Sequence, residues 1–65
     1  MTNATWKDGN LCFPNFIVTK KGEHYYAVMD IYMSEEYTSG SSLNSAAKKA
    51  KLLQRGFDLA KDIYC

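Results

Sequence analysis

Histidine, proline and cysteine are nearly missing from this sequence: one, one and two among 65 residues. With His24 alone there is no imidazole pair to hold a metal. Cys12 and Cys65 fit neither a CxxC nor a Cys/His zinc spacing, so no metal site is expected. A Cys12–His24 dyad can be drawn, but no third group orients it, and His24 reads as a strand-edge residue beside a turn. Gly22, Gly40 and Gly56 are too far apart for a phosphate-cradling loop. Glu35 and Glu36 are adjacent, so in a strand they point to opposite faces and do not form an acid–base pair. These absences point away from an enzyme and from a bound cofactor.

Long apolar runs are lacking too, and no segment is expected to cross a membrane. Met1-Thr2-Asn3-Ala4-Thr5 has neither the charged nor the apolar region of a secretory signal. Cys65 is the last of the 65 residues, and it is not expected to be a prenylation site, which needs three residues after the cysteine. Isolated cysteines without a signal peptide read as reduced thiols of a cytoplasm, here that of a bacterial host, with a 12–65 disulfide as the alternative. Charge of one sign is also missing. Eight Lys and Arg oppose seven Asp and Glu, for a net charge of +1, unlike a strongly basic nucleic-acid binder or an acidic DNA mimic.

What is present is material for a core. Hydrophobic residues make up 46 % of the chain and aromatics 14 %, too much for disorder. The length allows one domain, residues 1–65, whose core is expected to supply little beyond about 3–5 kcal/mol unless something staples it.

The pattern predicts an α+β fold: an antiparallel β-meander of three to four strands over 4–39, packed on one face by a single C-terminal helix over 42–63. Asp8-Gly9 between short apolar segments signals a hairpin, and Pro14 breaks the second strand or places it at an edge. Phe16-Ile17-Val18-Thr19 reads as a strand and Lys20-Lys21-Gly22-Glu23 as a turn. Tyr25 to Met33 reads as the longest strand. Its odd residues Tyr25, Ala27, Met29, Ile31 and Met33 form the more apolar face, expected to meet the helix. Ser34-Glu35-Glu36 reads as a turn and Tyr37-Thr38 as a further short strand. Ser41 or Ser42 is a suitable N-cap. Leu43, Ala46, Ala50, Leu53, Phe57, Ala60 and Tyr64 make one apolar ridge, widened by Leu52, Gly56, Leu59 and Ile63.

Two features go beyond a packed domain. On the helix, Lys48, Lys49, Lys51 and Arg55 precede Asp58 and Asp62, which opposes the macrodipole. Either Arg55–Asp58 and Asp58–Lys61 pairs compensate on a solvated face, or the bases meet an anionic partner. The second feature is Tyr26, Tyr32 and Tyr37, expected on the sheet face away from the helix. They form a protein-binding patch or a base-stacking platform, unless Trp6 and the N-terminal residues cover them.

The stretches Phe16-Ile17-Val18, Gly22, Tyr26 to Ile31, Gly40-Ser41-Ser42 and Ala46-Ala47-Lys48-Lys49-Ala50 resemble the second half of a double-stranded-RNA-binding domain. The sheet-plus-helix plan is also similar to the arm domains of integrases. In the former family, lysines opening the helix grip phosphates. Here Leu43 and Asn44 occupy that place and the lysines come a turn later. The resemblance implies nucleic-acid contacts through Lys20, Lys21, Lys48, Lys49 and Lys51. In type, the chain reads as a complete small gene product and resembles bacteriophage and mobile-element accessory proteins, the anti-CRISPR and other anti-defence inhibitors. That likeness implies binding to a larger host protein or nucleoprotein complex, through Tyr26, Tyr32 and Tyr37 or through Lys48, Lys51 and Arg55. So small a core also invites a homodimer formed by pairing two sheets.

Overall fold

A computed structural model describes residues 4–64. It is an α+β fold of five strands and one helix: β1 (Thr5–Lys7), β2 (Asn10–Cys12), β3 (Phe16–Gly22), β4 (Tyr25–Asp30), β5 (Glu36–Gly40) and α1 (Leu43–Tyr64). The strands form one antiparallel meander in chain order. The count exceeds the expected three to four because both strands of the expected Asp8-Gly9 hairpin join the sheet and residues 36–40 add a full strand at its other edge. Asp8 and Gly9 both have positive φ, 53° and 79°, the type I′ geometry whose twist suits a two-residue hairpin. Pro14 lies in the connection after β2, where Phe13 N–H donates to the Phe16 carbonyl at 2.7 Å.

Lys20, Lys21 and Gly22 continue β3 instead of turning. The turn is Glu23-His24, and the register shifts by a bulge between Lys20 and Gly22. At the other end, β4 stops at Asp30, short of Met33. Both carboxylate oxygens of Asp30 accept from Ser34, the backbone N–H at 2.9 Å and the hydroxyl at 2.7 Å. Met33 adopts φ 57° and its N–H donates to the Asp30 carbonyl at 2.9 Å. Ile31 and Met33 therefore leave the sheet.

That early stop decides which face the helix covers. The core is Phe13, Phe16, Val18, Val28, Ala46 and Ala50, flanked by Leu11, Tyr26, Leu43 and Leu53. The even face of β4, not the odd one, meets the helix. Within 25–30 the two faces are nearly balanced, and β3 breaks the tie. Val18 pairs with Val28 and Phe16 with Asp30, which puts the bulkiest β3 side chains on the even side. Ala27 and Met29 are still buried on the open face. Ala27 is flanked by Thr19 and Ser39, Met29 by Ile17 and Glu36.

Ser42 caps the helix. Its hydroxyl accepts from Ser45 N–H at 3.2 Å and its carbonyl from Ala46 N–H at 3.0 Å. Ala46 and Ala50 are fully buried and let α1 lie close over β3, β4 and β5. The ridge ends sooner than its sequence pattern. Phe57 is partly exposed and Ala60 is exposed, because all of 55–63 lies at the surface. The helix has 22 residues, about 33 Å at 1.5 Å each, while the longest strand has 7 residues, about 24 Å at most. The side chain of Tyr64 and the 12–65 disulfide lie outside the described residues. Trp6, on edge strand β1, pairs with Leu11 and is 61 % exposed, so it shields no tyrosine face.

Two glycines yield opposite predictions. A Cβ on Gly40 would stand 2.7 Å from the backbone nitrogen of Ala46. Gly40→Ala is expected to cost about 1–3 kcal/mol and to lower the urea midpoint. A Cβ on Gly56 meets nothing within 4 Å. Gly56→Ala is expected to gain roughly 0.5–1 kcal/mol, read as a raised midpoint at low chain concentration.

Candidate functional site

Gln54 faces the sheet from within the apolar ridge and is fully buried. Its Oε1 accepts from Asn15 N–H at 2.7 Å, and its Nε2 donates to Asn15 Oδ1 at 2.8 Å and to Asp58 Oδ1 at 3.0 Å. The Asn15 carbonyl in turn accepts from Ile31 N–H at 3.1 Å. One residue of the β2–β3 connection thus ties the helix to the chain leaving β4.

Beside this clasp is a cleft of about 370 Å³ between the helix, β5 and the 31–35 loop. Phe16 and Phe57 meet edge to face, with centroids 6.2 Å apart and planes at 87°. Tyr37 meets Phe16 in the same way, at 5.4 Å and 80°. A register shift explains the placement of Tyr37. Val28 pairs with Thr38 but Met29 pairs with Glu36, so Tyr37 is the extra residue of a bulge, which re-aims its side chain. Tyr32, 81 % exposed, and Asp30 complete the lining. The Ser34 hydroxyl and N–H lower the pKa of Asp30, so its carboxyl is ionised at neutral pH.

The three tyrosines expected together are separated. Tyr32 and Tyr37 line the cleft, on the helix side and not on the open sheet face. Tyr26 pairs with Gly40 near the start of the helix and packs partly buried against the core. On the open face Tyr25 donates its hydroxyl hydrogen to Glu36, which raises its pKa.

The basic residues are divided as well. Lys48, Lys51 and Arg55 line a shallow groove of about 250 Å³ along the helix with Leu52. Lys48 and Lys51 also border a hollow of about 450 Å³ against Leu11 and Phe13. Lys49 points elsewhere, its Nζ donating to the Ser39 carbonyl at 2.6 Å. Lys20 and Lys21 are exposed at the Glu23-His24 end of β3. The Cys12–His24 pair is not assembled. Cys12 pairs with Ile17 near the start of β3, and His24 lies past its other end, roughly 20 Å away at ~3.3 Å per residue. Among the described residues no three His, Cys, Asp or Glu side chains gather as metal ligands, and no helix is long and apolar enough to cross a membrane.

No protein-family model, curated protein or solved structure matches the chain.

Gln54 and Asn15 escape a reading of apolar periodicity. The available signal is that Gln54 stands beside Leu53 and four residues after Ala50, a polar residue in a buried row. Gln54→Leu keeps the bulk but strands the Asn15 amide, and is expected to cost about 1–3 kcal/mol in urea unfolding followed by far-UV circular dichroism. For Asp30 the direction with pH follows from its lowered pKa. The ionised form is favoured by folding, so its contribution is complete above the usual carboxylate range and is lost as pH falls through the folded pKa. The stability gap between wild type and Asp30→Asn should be widest near neutrality and close under acid. A gap independent of pH would refute this assignment.

Proposed function

We propose that this is a non-enzymatic interaction protein that binds a larger host protein and inhibits or modulates it, in the manner of small phage and mobile-element anti-defence proteins of the anti-CRISPR type. The aromatic cleft carries this reading. Phe16, Tyr37 and Phe57 present fixed ring edges, with Tyr32 standing free at the mouth and the ionised Asp30 beside it. Rigid aromatics around a partly apolar hollow are what a protein anchor residue docks into, and tyrosine is enriched at such hot spots. The cleft needs no catalytic group to act; occupying a partner's surface suffices.

The alternative is a nucleic-acid-binding module. It has Lys48, Lys51 and Arg55 in its favour, exposed in one row. It has less support, because Lys49 is engaged with β5.

The experiment is capture from a bacterial lysate with tagged wild type beside Tyr32→Ala and Phe57→Ala. The expected result is a stoichiometric protein held by wild type at moderate salt. Each substitution should weaken its affinity by roughly thirtyfold, the ~2 kcal/mol of one aromatic hot spot. A captured protein indifferent to both substitutions overturns the cleft as the site. Retention of nucleic acid that falls steeply with salt, with no protein retained, supports the alternative instead.

A further inference from the structure

The outer side of α1 carries a second apolar row with no neighbour in the fold. Leu52 is 67 % exposed, Leu59 54 % and Ile63 72 %. With Gly56 they are spaced four, three and four residues apart, the seven-residue repeat of a helix seam. At about 100° per residue this row lies roughly half a turn from the buried Ala50 and Gln54, so it points away from the sheet. The cleft uses the inner side of the helix at Phe57, and the two surfaces are separate.

One flank of the row is charged in a fixed order. Lys48, Lys51 and Arg55 come first, then Asp58 and Asp62. Such an order is self-complementary when the same helix runs the other way.

We propose that the occupant of this row is a second copy of the chain, packed antiparallel about a two-fold axis between Phe57 and Asp58. Leu52 then meets Ile63 of the second copy, and Gly56 meets Leu59. A Cβ at Gly56 meets nothing within the chain, so this glycine leaves room for the facing leucine. On the flank, Arg55 comes nearest Asp62 of the second copy, a pair that occurs twice. The bases near one helix's N-terminal half lie against the C-terminal, negative end of the other helix. The same order that opposes the macrodipole within one copy complements it between two. A parallel pairing would set basic half against basic half. An interface limited to this helix segment falls at the small end of specific contacts, so association is expected in the micromolar range.

Sedimentation velocity over a concentration series tests the proposal. Wild type should move from the 7.4 kDa monomer towards twice that mass. Leu59→Glu should stay monomeric with an unchanged far-UV spectrum. Arg55→Glu and Asp62→Lys should each weaken dimerisation by about tenfold, the equivalent of ~1.4 kcal/mol. The double variant Arg55→Glu/Asp62→Lys should restore it. These positions lie seven residues apart, about 10 Å along one helix at 1.5 Å each, beyond the three- and four-residue spacing of pairs within a helix, so an antiparallel second copy is what joins them. A wild type that stays monomeric at millimolar concentration overturns the proposal. So does a dimer that tolerates Leu59→Glu, or one that the double variant fails to restore.

Discussion

Asn15 and Gln54 hold each other through a pair of hydrogen bonds, at 2.7 and 2.8 Å, between a strand connection and the middle of the helix. Most other features depend on this clasp. An amide buried in a small core costs stability unless its polar atoms are satisfied, and both ends of Gln54 are. The demand for partners fixes the rotation and the lengthwise position of α1 over the sheet in a way that apolar contacts alone, being non-directional, do not. The same residue, Asn15, accepts from Ile31 N–H, so the end of β4 is tied to the helix that the clasp has just placed.

The cleft follows from that arrangement. With the helix fixed, Phe57 stands over Phe16. With β4 stopped by the Asp30–Ser34 bonds, the loop turns outward and carries Tyr32 to the mouth. The bulge in β5 supplies the last wall by turning Tyr37 towards Phe16. Three local devices therefore converge on one place: an amide clasp, a carboxylate-capped loop and an extra strand residue. Each is the kind of irregularity that re-aims side chains beside a site.

Much of the architecture was legible in the order of residues. Asp8-Gly9 marks a primed turn because a glycine tolerates positive φ. Ser42 has the hydroxyl an N-cap needs, and Ala46 and Ala50 mark the side of the helix closest to the sheet. What was hidden depended on contacts distant in sequence. The odd residues of 25–33 look more apolar only if Ile31 and Met33 are counted, and a side chain–backbone capture by Asp30 removes them. Tyr37 was misplaced because a bulge breaks strict alternation, and a one-residue shift moves a side chain to the other face. Asn15 and Gln54 are 39 residues apart, beyond any periodicity. The ridge was read too long because periodicity does not record where the sheet beneath the helix ends.

The only tryptophan of the chain belongs to a three-residue strand at the outer edge of the sheet and is largely exposed. Its emission in the native state is accordingly that of a hydrated chromophore, and loss of the core changes its surroundings little. Fluorescence would follow fraying at one rim while the centre stays intact, or stay nearly silent while the centre is lost. Signals from the backbone or from the tyrosines near the core are the ones that track the whole molecule.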